Sequence, residues 1–352
     1  MRLAIFWLFF VVCAAALRAA APAQYLLQCH CADMEQARQL LQEAQAPAAS
    51  LRRLSADWGI YAVDYAAALS THQIEQIRRH KQTLHWQENR PVQQRTRAPQ
   101  YPNDPYYTQN RLWHHALMQT PDAWGYTTGG TTADGRPIAV AVIDGGCDLQ
   151  HADLVDNLWR NPHEIPNNGI DDDENGYVDD YRGYAPPFHS DSLAADAHGT
   201  SVAGIIGAAG NNGIGTVGIN WRVSIIPVQL TALTGAGIRE SDVIAAYDYV
   251  ATLRRRYNET DGAVGAFIVA ANSSFGIDDA WAEDYPIWCG LYDSLGSLGI
   301  LSVAATTNRL RNTDNTGDMP SSCSSPYLLT VTETDQSDEL NAGYGLQLID
   351  IA

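Results

Sequence analysis

Positive charge is scarce in this chain. Lys and Arg number 22 against 40 Asp and Glu, for a net charge of −18. The deficit lies in residues 101–352, where eleven basic residues face thirty-three acidic ones; residues 24–100 carry nine against seven. A strongly acidic surface repels nucleic acid and anionic membranes, which excludes both as partners. Long apolar runs are equally rare. Only Leu3–Leu17 comes near one, and it is too short to span a bilayer comfortably. With Arg2 before it and Ala21-Pro22-Ala23 after it, it reads as an export signal cut before Gln24. Residues 1–23 are therefore expected to leave a protein that is secreted or held outside the cell envelope. Cysteines are few: Cys13 goes with the signal, leaving Cys29, Cys31, Cys147, Cys289 and Cys323. Export permits disulfides, and the odd count leaves at least one thiol free or paired elsewhere. Cys29-His30-Cys31 has no second ligand pair at zinc spacing, so it reads as alternation along a strand. Cys289 and Cys323 form a candidate bridge by position. Internal repeats and low-complexity tracts are absent, which excludes a solenoid.

What is present divides in two. Residues 24–88 read as β-α-β-β-α-β, the order of a ferredoxin-like α+β unit. Tyr25-Leu26-Leu27 is its first strand. Asp33–Ala46 is a helix with Met34, Ala37, Leu40 and Leu41 on one face. Leu51–Tyr65 is a hairpin, Ser70 and Gln73 make a capping box, and Leu84-His85-Trp86 is the last strand. Residues 89–105, rich in Gln, Arg, Pro and Asn, form an exposed linker. From 106 to 352 apolar strand-like runs alternate with helical stretches. The runs are Ile138–Ile143, Val223–Val228, Phe267–Ala271, Ile300–Ala305 and Leu328–Val331; the helices are Ser201–Ala209, Ser241–Tyr257 and Asp284–Leu295. That alternation predicts an α/β domain whose mainly parallel sheet is covered on both faces, with its site beyond the carboxyl ends of the strands.

Asp144 stands at such an end. A carboxylate closing a buried strand needs a partner, and His198, at the head of an apolar helical stretch, is the candidate. The surrounding residues carry a resemblance. Val140-Ala141-Val142-Ile143-Asp144-Gly145-Gly146 resembles the aspartate box of subtilisin-like serine proteases, and His198-Gly199-Thr200-Ser201-Val202-Ala203-Gly204 their histidine box. Asn272-Ser273-Ser274-Phe275-Gly276 is similar to their substrate-pairing strand. Val303-Ala304-Ala305-Thr306-Thr307-Asn308 is similar to the segment with their oxyanion asparagine, although the family usually has glycine where this chain has Thr307. The resemblance implies a three-layer subtilisin-like fold over 106–352. It makes Asp144 and His198 catalytic, Asn308 the oxyanion donor, and Ser274, Phe275 and Gly276 the strand that holds substrate. It makes 24–88 a propeptide that assists folding and inhibits its own catalytic domain until cut near Arg97–Tyr101. Substrates would be proteins or peptides.

Gly199-Thr200-Ser201-Val202-Ala203 mimics the signature around the family's nucleophile, but Ser201 follows His198 by one helical turn, so it cannot face the histidine from a separate element. No other segment supplies the serine. The chain is therefore expected to be cut within its catalytic domain and inactive as it stands, with the nucleophile beyond Ala352.

Asp171-Asp172-Asp173-Glu174-Asn175-Gly176-Tyr177-Val178-Asp179-Asp180 begins like a calcium loop. Its predicted ligands are Asp171, Asp173, Asn175, the Tyr177 carbonyl and Asp179 or Asp180. Arg182 occupies the twelfth place, so the loop is no EF-hand. So many carboxylates repel each other without a cation. By resemblance, Asp153 and Asn212 with the carbonyls of Ile214 and Thr216 would hold a second structural Ca2+. Two rival readings stand beside the protease: a non-catalytic calcium-binding protein on the same scaffold, and residues 24–100 as an independent inhibitor module.

Overall fold

The structure is a computed structural model that describes residues 23–92, 97–231 and 237–352; apart from Ala23, the expected export signal lies outside them. The chain forms two compact units, Met1–Thr96 and Arg97–Ala352. Among the described residues no helix is long and apolar enough to cross a membrane.

The first unit comprises β1 (Ala23–Cys29), α1 (Met34–Glu43), β2 (Ser50–Ser55), β3 (Ile60–Tyr65), α2 (Thr71–Arg79) and β4 (Thr83–Glu88). Its antiparallel sheet has the order β2-β3-β1-β4, the ferredoxin-like arrangement. Asp33 caps α1 through the Gln36 amide, and Ala37, Leu40 and Leu41 face the core. Met34 is the first residue of that helix and stays exposed. The Ser70–Gln73 capping box is formed. Tyr25 stacks on Trp86 at 4.9 Å between centroids. Cys29 ends β1 and is joined to Cys31, with α-carbons 5.3 Å apart. The expected strand alternation through Cys31 is therefore replaced by a short covalent loop.

In the second unit, α3 (Pro105–Thr108), α4 (Trp113–Leu117) and α5 (Thr120–Trp124) precede β5 (Ala139–Asp144). Then come α6 (Ala197–Gly207), β6 (Ser224–Gln229), α7 (Glu240–Glu259), β7 (Ile268–Ser273), β8 (Ile277–Asp278), α8 (Pro286–Ser297), β9 (Leu301–Ala305), α9 (Thr313–Thr316), β10 (Asp318–Met319) and β11 (Leu328–Val331). Five strands form one parallel sheet in the order β11-β9-β7-β5-β6. All five expected runs are its strands.

Alternation along β5 decides the layers. Ala139, Ala141 and Ile143 join the core with α7 and α8 residues such as Tyr247, Val250, Trp288 and Tyr292. Val142 points the other way, into the core with Ala203 of α6, Leu154 and Ile225. Helices thus cover both faces, as βαβ crossovers require. Each fully buried aliphatic side chain contributes about 1.5–3 kcal/mol to this arrangement. A buried polar chain lies below β7: Ser273 Oγ and Tyr247 Oη are 2.6 Å apart, and Trp288 Nε1 donates to Tyr292 Oη at 2.9 Å. Cys289 and Cys323 are bridged, with α-carbons 5.2 Å apart, and Cys147 remains a buried free thiol.

Candidate active site

The sheet register brings the expected site residues to one edge. Ile143 pairs with Ser273, and Ser273 pairs with Ala304. Asp144 and Ala305, the last residues of β5 and β9, and Ser274, just past β7, therefore lie side by side at the carboxyl ends of three adjacent strands, about 4.8 Å apart from one to the next.

Asp144 is buried, while His198 stands largely exposed. His198 Nδ1 lies 2.8 Å from Asp144 Oδ1 and 3.0 Å from Oδ2. The same Oδ1 accepts from the Gly145 amide at 2.6 Å, which fixes the carboxylate plane. With Nδ1 spent on Asp144, Nε2 makes no hydrogen bond among the described residues, and the ring is 63% exposed. Asp196 starts the helix by accepting from the Gly199 amide at 2.8 Å. Thr200 ties the helix to the strand-end loop: the Asp148 amide donates to its hydroxyl at 2.9 Å.

Two glycines make the approach possible. A Cβ on Gly199 would stand 2.0 Å from the Gly146 carbonyl oxygen. Gly146, at φ +133°, would place a Cβ 2.4 Å from the Ala194 oxygen. Cys147 follows at once, and burial pushes its thiol up to about 11.

Ser201 does not face His198. Its hydroxyl donates to the Ala197 carbonyl of its own helix at 2.8 Å.

Asn308 is exposed just past β9, and its side-chain amide makes no hydrogen bond among the described residues. Thr307, in place of the usual glycine, is not in the left-handed region. Room for its methyl group comes from Gly343, where a Cβ would stand 2.8 Å from Thr307 Cγ2. Ser274, Phe275 and Gly276 run between β7 and β8 and make no backbone–backbone hydrogen bond among the described residues. Their backbone is left open to further pairing.

The acidic loop is sorted by its hydrogen bonds. Asp171 accepts from the Asn175 and Gly176 amides, and Asp179 from the Asn168 and Gly169 amides. Both carboxylates hold turns. The Asn175 side chain caps Tyr177 N and donates to Asp180. Asp173 and Asp180 converge instead with Glu164, all three buried and with carboxylate oxygens within 4.8 Å of one another. Glu164 lies outside the loop and no spacing rule pointed to it. Its Oε1 accepts from the Asp173 amide at 3.1 Å, while Oε2 is buried with no partner among the described residues. Burial raises the Glu164 carboxyl and pushes Asp180 up to about 7. An unpartnered buried oxygen among three acids fits a hard divalent cation.

The residues of the second expected site are tied to one another by hydrogen bonds, with Asn212 Oδ1 accepting from the Ile214 amide at 2.8 Å. Asp153 is buried and accepts from Asn212 Nδ2 at 3.0 Å and the Thr216 amide at 2.7 Å, while Ile214 is exposed on the same loop. Asp104 adds a buried carboxyl that binds the Asn211 and Asn212 amides, and burial raises its pKa. It was missed because it lies in the stretch read as linker.

A parallel sheet with a hydrogen-bonded Asp–His pair, an exposed amide side chain and unpaired backbone beyond the carboxyl ends of its strands has its candidate site where such sheets place them. Residues 135–344 match the model of the subtilase family, and the chain belongs to that family. It is 31% identical over 208 residues to subtilisin-like protease 1 of Plasmodium berghei, covering 58% of this chain and 31% of that protein. It is 28% identical over 266 residues to an extracellular basic protease of Dichelobacter nodosus, covering 70% and 40%. The chain thus spans about a third of the first relative's length. Among solved structures, a protease of Pseudoalteromonas arctica aligns with TM-score 0.50 and 24% identity, over 72% of each chain. The epidermin leader peptide processing serine protease of Staphylococcus aureus aligns with TM-score 0.50 and 15% identity, over 95% of this chain and 75% of that one. These two share the fold.

Proposed function

We propose that this chain is the precursor of a secreted serine endopeptidase. The observation that carries the reading is His198, held through Nδ1 by both oxygens of Asp144 with Nε2 left open. In that arrangement His198 takes the proton of a serine hydroxyl, which is a poor nucleophile without a base. Asp144 keeps the imidazole in the required tautomer and stabilises the imidazolium. The Asn308 amide stabilises the oxyanion, a donor worth about 2.7–4 kcal/mol in the subtilisin that serves as the standard example. Substrate adds as an extended strand to Ser274–Gly276. None of the 352 residues is assigned as the nucleophile, and Ser201 is set aside by its bond to its own helix.

Residues 1–23 are read as the export signal, 24–88 as an inhibitory propeptide and 89–105 as the processing region. The first unit's separate core and ferredoxin-like order support the propeptide reading. Calcium is assigned to Glu164, Asp173 and Asp180 and to the Asp104–Asp153 site, where it would neutralise crowded carboxylates and stiffen loops. A calcium-binding protein without catalysis is the second reading, favoured by the unpartnered Glu164 oxygen.

The deciding experiment reads the gene past the codon for Ala352 and assays the encoded protein on unstructured peptides. A Gly-Thr-Ser-x-Ala segment and hydrolysis abolished by His198→Ala support the protease. Hydrolysis that survives His198→Ala, or calcium binding with no hydrolysis, overturns it.

A further inference from the structure

A cavity of about 170 Å³ lies between the open backbone after β7 and the oxyanion segment, lined by Ser274, Phe275, Gly276, Asp278, Thr307, Asn308 and Asp318. Asn308 lines it, so on the protease reading a side chain entering it belongs to the residue whose carbonyl meets that amide. Two carboxylates reach it. Asp278 and Asp318 are opposite partners in the β8–β10 ladder. Their situations differ. Asp278 is half exposed and ion-paired, 3.3 Å from Arg309 and 3.7 Å from Arg311. Asp318 is 2% exposed and makes no ion pair among the described residues. Both hydroxyl donors that reach it, Thr306 Oγ1 at 3.1 Å and Ser321 Oγ at 2.7 Å, bind the same oxygen, Oδ2. Oδ1 has no donor among the described residues.

Glycine and a tight turn hold this floor in place. A Cβ on Gly276 would meet the Met319 carbonyl oxygen at 2.2 Å, so the substrate edge and β10 can lie together only with glycine there. A buried acid without an ion-pair partner is costly, even with the charge of Arg311 acting on it from nearby, and gains strongly from a charge-assisted hydrogen bond. Burial raises the Asp318 carboxyl accordingly.

We propose that this cavity receives a basic side chain, arginine or lysine, on the acyl side of the bond to be cut, and that Asp318 selects it. The inference rests on the protease reading and names its substrate class. An apolar side chain would leave Oδ1 without a partner, whereas a guanidinium or ammonium supplies both charge and donor.

The test titrates the full chain with acetylated tetrapeptides that differ only in a carboxyl-terminal Arg, Lys, Phe or Leu, read by fluorescence anisotropy. Anything else occupying the cleft lowers all affinities alike, so the ratio is the readout. The Arg and Lys peptides are expected to bind at least about tenfold more tightly than Phe and Leu. Asp318→Asn should erase the difference while keeping an acceptor for Thr306 and Ser321. Asp318→Glu, which retains the charge, should keep it, and Asp278→Asn should change it little. Far-UV circular dichroism confirms that each variant is folded. Equal affinities, or a preference that survives Asp318→Asn, overturn the selector but leave the protease reading intact. Absence of binding by every peptide, together with absence of hydrolysis by the protein the gene encodes, overturns both.

Discussion

Gly199 and Gly146 touch: a side chain on the first would put its Cβ 2.0 Å from the carbonyl oxygen of the second. This contact seats α6 against the loop after β5 and so sets the distance between His198 and Asp144. Gly199→Ala is expected to cost about 1–3 kcal/mol through overpacking. A lowered urea midpoint with an unchanged m-value checks this. The His198 Nδ1 proton resonance should also move, because the helix must shift to make room.

Removal of the acid should act on tautomer rather than on fold. Asp144→Asn in a hydrolytically active form of the protein should lower kcat by about 10⁴-fold, the size found for the same change in the template triad. Ser201→Ala should change stability by no more than about 0.5 kcal/mol and leave hydrolysis intact, because its hydroxyl bonds only its own helix. Loss of hydrolysis on Ser201→Ala alone would sink the assignment.

The cluster of Glu164, Asp173 and Asp180 carries a pH signature. Asp180 titrates at about 7 in the fold, above the ordinary carboxylate value. Its stabilising contribution is therefore complete below about pH 4 and is lost as pH rises toward 7, at about 1.4 kcal/mol per unit. In EDTA, the urea midpoint of the native chain should fall over that range relative to Asp180→Asn. Saturating calcium should remove the fall. Glu164→Gln should weaken calcium binding in isothermal titration while leaving the EDTA-treated midpoint equal or higher, since it removes a buried charge.

Cys147 should be inert in the folded protein. Its thiol is 1% exposed and pushed up to about 11. Iodoacetamide at pH 8 should leave the Cys147 peptide unmodified, and the same reagent in denaturant should alkylate it fully, as read by peptide mass mapping.

Much of the molecule was legible before its fold was known. The five apolar runs became five parallel strands, because a strand buried on both faces must be apolar throughout. Ser70 with Gln73 announced a helix start through local hydrogen bonds, whereas Asp33, read as the first helical residue, proves to be the cap before Met34. Asp144 and His198 were legible because one closes an apolar strand and the other opens an apolar helix, each within a stretch that resembles a family motif. The Cys29–Cys31 bridge was hidden, since alternation and a covalent loop predict the same two buried positions.

The amino-acid sequence by itself determined the layers, the strand ends and the acid–base pair, all of which depend on periodicity and on contacts along a few residues. Tertiary structure alone decided which carboxylates share a site. Glu164 joins Asp173 and Asp180, Asp104 joins the loop of Asp153, and Asp318 lines a cavity with Ser274, Phe275 and Gly276 while Asp278 beside it is ion-paired. Loop carboxylates carry no period, and whether each one caps a turn, pairs with an arginine or remains buried and unpaired is set by what packs against it.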